Sequence, residues 1–242
     1  MHWRDDGIVL SARPHGESAA IVHLLTREHG RHAGLVRGGQ GRRARGVYQP
    51  GNLVAARWSG RLAEHLGSYT CELAQSHAAR VLDEPGRLAA LSAATAVCEG
   101  ALPEREPHGA CFEGLRVLLD ALTGDHWAEV YVNWELALLA DLGFGLDLAR
   151  CAAGGDNDHL AYVSPKSGRA VSLAAGEPYR DKLLPLPAFL AGRGGGGPGE
   201  VGQGLALTGF FLERFVYAPH HKPLPRARAR LVERFPAAPG GS

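Results

Sequence analysis

At 242 residues and 45% hydrophobic side chains, the chain has enough material for one large or two modest cores, which excludes wholesale disorder. The opening Met1-His2-Trp3-Arg4-Asp5-Asp6 lacks the apolar stretch of a secretory signal, and no run approaches the roughly 20 apolar residues of a bilayer span, so a cytoplasmic protein is expected. The net charge of +1 conceals a basic–acidic–basic chain: ten arginines against six acids over 1–72, four basic residues against twelve acidic over 73–148, and twelve against seven over 149–242.

The first seventy residues read as short strands with turn punctuation. Gly7–Arg13 is strand-like and stops at Pro14-His15-Gly16-Glu17; Ala20–Thr26 follows and ends at Glu28-His29-Gly30. Arg31–Val36 is a third strand, Leu53–Trp58 a fourth and Leu62–Glu72 a fifth, the last two joined at Ser59-Gly60. Five strands of this length suit a small barrel, which removes exposed edges; the OB-fold is the commonest five-stranded candidate. Between the third and fourth strands lies Arg37-Gly38-Gly39-Gln40-Gly41-Arg42-Arg43-Ala44-Arg45-Gly46. Its guanidiniums sit on backbone that glycine leaves free to approach phosphates. Beside a predicted barrel this favours nucleic acid over a plain solvated loop. Trp58 and Tyr69 are candidates for base stacking or for burial inside the barrel.

After Asp83 the period changes to helical. Leu88, Leu91, Cys98 and Leu102 mark one helix, ended by Pro103; Cys111, Leu115, Leu118, Leu119 and Leu122 mark a second. Trp127, Val130, Tyr131, Trp134 and Leu138 mark a third, closed by Gly143, with both tryptophans read as core. Leu160–Val163 and Ala170–Leu173 suggest a hairpin around Pro165-Lys166-Ser167-Gly168, and Gly192–Gly199 a flexible loop. A last helix carries Val201, Leu205, Leu212, Phe215 and Val216. The basic stretch Leu224–Leu231 comes next, and Pro236–Ser242 is expected to be a disordered tail.

Signatures of catalysis and metal binding do not emerge. The glycine-rich loop lacks the preceding strand and the Gly-Lys-Ser/Thr of a phosphate loop, His220-His221 has no supporting ligand spacing, and there is no Gly-x-Ser-x-Gly. Cys71, Cys98, Cys111 and Cys151 form no Cys-x-x-Cys pair and read as reduced thiols.

Several segments in order resemble the bacterial DNA repair protein family RecO. They are Asp6–Leu10, Gly16-Glu17-Ser18, Leu25–Arg31, Val36-Arg37-Gly38 and Gln49–Leu53 at the amino terminus. Trp134–Phe144 with Leu146-Asp147-Leu148 and Cys151 follows, then Leu186–Leu190 and Arg226–Leu231. The resemblance implies an α+β chain: an N-terminal five-stranded OB-fold barrel (1–78) and an α-helical domain (79–242) with an irregular hairpin at about 151–180. It also implies a non-enzymatic protein of recombinational repair (RecF pathway) that binds single- and double-stranded DNA and anneals strands. Its partners would be RecR, the C-terminal tail of single-strand-binding protein and, indirectly, the recombinase RecA. Many members carry a four-cysteine zinc site in the hairpin. Here Cys151 matches the first ligand, but Gly154, Ser172 and Ala175 stand where others would be, so no metal and no cofactor is expected. The DNA contacts are assigned to Arg37, Arg42, Arg43 and Arg45 with Arg13 and Arg31 in support, and an acidic tail to Arg150, Lys166, Arg226 and Arg228. An adaptor whose barrel binds protein, and a nucleic-acid-processing enzyme, stay open as alternatives.

Overall fold

The computed structural model describes residues 1–154, 157 and 159–236. The chain is α+β and divides into two compact units, Met1–Gly124 with Pro225–Arg228, and Asp125–Leu224 with Ala229–Ser242. Among the described residues, no helix is long and apolar enough to cross a membrane.

The first unit begins with β1 (His2–His15), β2 (Ala19–Thr26) and β3 (Gly30–Val36), followed by helix α1 (Arg42–Val47), β4 (Leu53–Ser59) and β5 (Ser68–Gln75). β1 pairs antiparallel with both β2 and β4, β2 with β3, and β4 with β5. A single parallel pair, Leu35 with Ser68, brings β3 to β5 and curls the sheet into a five-stranded barrel. Period-2 alternation decides which side chains fill it: Val54, Ala56 and Trp58 point inward from β4 while Ala55, Arg57 and Ser59 face water. Val9, Val22, Leu24, Val36, Trp58 and Tyr69 belong to one buried cluster. Gly34 interrupts β3 for a packing reason, since a Cβ there would lie 2.3 Å from the Tyr69 ring.

The strands run beyond the bounds expected from hydrophobic runs. β1 starts at His2 because outward Arg4 and Asp6 alternate with partly buried Trp3 and Asp5, and a bulge between Val9 and Ser11 lets the long strand bend between its two neighbours. The fifth strand begins at Ser68 rather than Leu62; Leu62 and Leu66 are exposed in the connection, where the Leu66 carbonyl accepts from Trp58 Nε1 at 3.0 Å. Trp58 and Tyr69 are core residues, 2% and 4% exposed, so neither is a stacking platform. Beyond the barrel come α2 (His77–Arg80), α3 (Pro85–Ala101) and α4 (Gly109–Ala121). Pro85 opens α3 at a position whose N–H needs no intrahelical partner. The expected stripes are buried: Leu91 and Cys98 on α3; Cys111, Leu115, Leu118 and Leu119 on α4.

The second unit contains α5 (Trp127–Asp141), β6 (Leu160–Val163), β7 (Ala170–Ser172), α6 (Leu173–Gly176), β8 (Leu184–Pro185) and α7 (Pro198–Phe211), while α8 (Arg226–Val232) spans the division between units. The expected hairpin gains a third strand, in the order β7-β6-β8. Trp134 is buried on α5, but Trp127 is only partly so, its ring edge-on to Phe235 at 5.7 Å. The glycine loop is shorter than expected, because α7 already starts at Pro198. Gly194, Gly195 and Gly196 take positive φ, and the Gly196 N–H donates to Glu200 Oε2 at 2.6 Å. A carboxylate of the same chain thus occupies the turn. After α7 the backbone widens into a π-turn over Leu212–Tyr217, and the basic stretch after Leu224 forms helix α8. Of the expected disordered tail, Ala237–Ser242 lie outside the described residues.

Candidate nucleic-acid interface

The Gly/Arg segment is not one open loop. Val36 to Gly41 make two tight turns, with Gly39 N–H donating to the Val36 carbonyl and Gly41 N–H to the Gly38 carbonyl; Gly38 takes φ +66°. Gly39 has no room for a side chain, since a Cβ would fall 2.7 Å from that of Ala20. The Gln40 amide then donates to the carbonyls of Gly16 and Ala19, fixing the turn to the β1–β2 connection. At the far end of α1, Asn52 Nδ2 donates to the Gly46 and Val47 carbonyls. Two amide side chains therefore hold a short helix that its own six residues would not sustain.

Between α1 and β5 lies an open groove of about 940 Å³. Arg37, Arg42 and Arg43 line it, with Val47, Tyr48, Cys71 and Leu73 as apolar wall and floor, and Glu72 also borders it. All three arginines are exposed, and among the described residues they form no ion pair. Arg42 and Arg43 occupy the first turn of α1, which has no acidic residue to balance them. Burial raises the Cys71 thiol to about 11, against a smaller opposing effect of the Tyr48 hydroxyl, so it is protonated at neutral pH. Guanidiniums, a phenol and a neutral thiol on a glycine-rich frame are equipped to hold a polyanion.

The other assigned residues separate. Arg45 lines a smaller cleft of about 270 Å³ with Gln40, Gln49 and Pro50, and its Nε donates to the Gln40 carbonyl at 2.9 Å. Arg13 is exposed but paired with Glu99 at 2.8 Å. Arg31 is largely covered; its Nε donates to the Leu102 carbonyl at 2.8 Å and its guanidinium meets Glu104 at 3.2 Å. Of the residues assigned to an acidic tail, Arg150, Lys166 and Arg226 are exposed, whereas Arg228 is 4% exposed and offers no surface charge. Arg228 fails as a rim residue because it turns inward on α8, where the sequence alone shows only a basic stretch.

Sequence reasoning misses other groove residues. Leu73, 44% exposed, continues the Tyr69-Cys71 alternation but lies past Glu72, where the sequence reading ends the fifth strand. Glu72 lines the groove and also a second cleft of about 400 Å³ containing Arg4, Arg27 and Arg57. Strand alternation extended to His2 would place Arg4 outward, opposite Arg57 in the ladder.

Fold and groove together define a class: an OB-like barrel with a groove lined by three arginines unpaired among the described residues, continued by a helical region with a small sheet. Comparison with known proteins narrows it. The family model described as Recombination protein O N terminal matches residues 1–77, and that described as Recombination protein O C terminal matches residues 82–223. The DNA repair protein RecO of Rhodospirillum centenum is 61% identical over 237 residues, covering 97% of this chain and 95% of that one. Those of Phenylobacterium zucineum and Rhodospirillum rubrum are 52% and 51% identical, over 98% and 97% of this chain and 99% and 96% of theirs. The chain belongs to the RecO family of DNA repair and recombination proteins.

Proposed function

We propose that this protein is a non-enzymatic DNA-binding and strand-annealing mediator of recombinational repair in the RecF pathway. The barrel domain, 1–78, grips DNA, and the helical domain, 79–242, meets protein partners. The observation that carries this reading is the gathering of Arg37, Arg42 and Arg43, exposed and without ion pairs among the described residues, along one groove of the barrel. Two DNA strands repel through their phosphates, and a basic surface that holds both lowers that repulsion. Pairing also demands free base edges, so the contacts must be directed at the backbone and blind to sequence.

Arg45 on α1 and Arg13 on β1 serve as secondary phosphate contacts, Arg13 at lower effective charge because of Glu99. Arg31 contributes to holding the fold through Leu102 and Glu104 rather than to DNA. The partners of the reading are single- and double-stranded DNA, RecR, the acidic tail of single-strand-binding protein and, indirectly, RecA. Exposed Arg150, Lys166 and Arg226 are the cations offered to that tail. The protein acts in the cytoplasm at the nucleoid and needs no cofactor.

Replacing Arg37, Arg42 and Arg43 together by Ala tests the assignment. Each phosphate that is no longer neutralised takes about 0.7 from the slope of log affinity against log salt for a single strand, so the slope becomes shallower by about 2. An unchanged slope, with the variant folded, removes these residues from the interface.

A further inference from the structure

We propose that Asn52 is a positioning residue whose buried amide couples helix α1, and with it Arg42 and Arg43, to the place where α2 meets α4. A change at Asp120 is then felt at α1. The residues concerned all belong to the first unit. Asn52 is fully buried, and an amide so placed is tolerated only when its hydrogen-bonding capacity is met. All four positions are used, and they are divided between two helices. Nδ2 donates to the Gly46 and Val47 carbonyls at 2.9 and 3.3 Å, at the end of α1 where no further turn of helix uses them. Oδ1 accepts from Ser76 Oγ at 3.4 Å and from the Ala78 N–H at 3.3 Å, at the start of α2. The Asn52 backbone is itself fixed, since its carbonyl accepts from the Val9 N–H of β1 at 2.9 Å. The amide therefore serves α1 in this way only while α2 keeps its place.

Helix α2 is four residues long and is held from outside. Asp120 on α4 grips both ends of it. Its Oδ1 accepts from Gln75 Nε2 at 2.9 Å, just before the helix, and from Arg80 at 3.2 Å, in its last turn. His77 Nδ1 lies 3.8 Å from the same oxygen, and Oδ2 meets Arg116 at 3.7 Å. The Arg80 and Asp120 side chains are 40% and 41% exposed, so the grip is reached from solvent although Asn52 is not. A surface carboxylate, a four-residue helix, one buried amide and the arginine helix make a contiguous series of contacts. Only the consequence for affinity rests on the DNA-binding reading above; the coupling does not.

Amide hydrogen exchange in the full chain, without DNA, tests the coupling. Ser76 and Asp120 hold α2 and form no hydrogen bond to α1 among the described residues. Ser76→Ala and Asp120→Ala should each speed exchange at the Tyr48 N–H, which donates to the Ala44 carbonyl, by roughly two- to tenfold, the range of one hydrogen bond. The Gly41 N–H, on the Gln40 side, should not change. Asn52→Asp keeps both acceptors toward α2 but cannot donate to Gly46 and Val47. In that background Tyr48 should already exchange fast, and neither substitution should add to it. An unmoved Tyr48 in both single variants overturns the inference, as does equal acceleration in β2, or the same factor recurring beside Asn52→Asp. Should the buried charge of Asn52→Asp prevent folding, Asn52→Ala completes the cycle. Ser76→Ala changes no charge and should also weaken oligothymidine binding. A loosened α1 with undiminished affinity leaves the coupling standing and counts against the DNA-binding reading.

Discussion

His32 illustrates how single residues in the barrel are chosen. Its ring lies in β3, 5.1 Å from Trp3 and from Trp58 and 6.0 Å from Tyr69, centroid to centroid, and is 3% exposed. Burial, with the nearby Arg105 charge, lowers its pKa from 6.5 to about 4. The unfolded chain therefore takes up a proton at a pH where the folded one does not. Stability is complete above pH 6.5 and declines as pH falls toward 4, by up to about 1.4 kcal/mol per unit. Urea midpoints measured across that range should fall for the wild type. In His32→Gln the midpoint should start lower at pH 7 and fall less steeply; equal slopes in both proteins would contradict the assignment. Residue-scale context likewise sorts the arginines. Arg31 and Arg37 are equal in a sequence, yet one is engaged by a carbonyl and a carboxylate far along the chain, and the other faces water.

At the scale of elements, the legible parts are those with a strong local period. The α3 and α4 stripes and the inward residues of β4 follow directly from spacing, and the barrel class follows from five such runs. The third strand of the small sheet is hidden in the sequence because β8 is two residues long, one of them Pro185. Helix α1 is hidden because Gly and Arg dominate it, and what stabilises it is Gln40 reaching back to the Gly16 carbonyl and Asn52 binding the Gly46 carbonyl at its end. The hairpin shows the same dependence on context. Ser172 N–H donates to Cys151 Sγ at 3.3 Å, and Ser172 Oγ caps α6 by accepting from Ala175 N–H at 3.4 Å. The position aligned with a second pair of zinc ligands is thus engaged in holding the turn, and the Cys151 N–H is bound by Asn157 at 2.7 Å. One thiolate does not make a structural zinc site. Purified protein dialysed against chelator should retain its thermal transition and contain far less than one zinc per chain. Near-equimolar zinc, or a transition lost with the metal, would overturn this.

Over the whole molecule, charge segregation is more informative than net charge. The +4 excess over 1–72 that follows from ten arginines and six acids is not spread evenly. Arg13, Arg27, Arg31 and Arg57 face carboxylates, and of the six that form no ion pair among the described residues, Arg37, Arg42 and Arg43 share one groove. Which arginines are neutralised is not legible in the sequence, because Glu99, Glu104 and Glu113 come from helices and connections far along the chain. The groove itself is legible in part: its cations follow from the Gly/Arg run, its apolar wall does not.

The most direct measurement is the rate at which two complementary oligonucleotides anneal, without nucleotide triphosphate, in the presence of wild-type protein and of the Arg37/Arg42/Arg43 triple Ala variant. The wild type should accelerate annealing, an effect weakened by added salt and largely abolished in the variant. Annealing at the wild-type rate by a folded variant would contradict it.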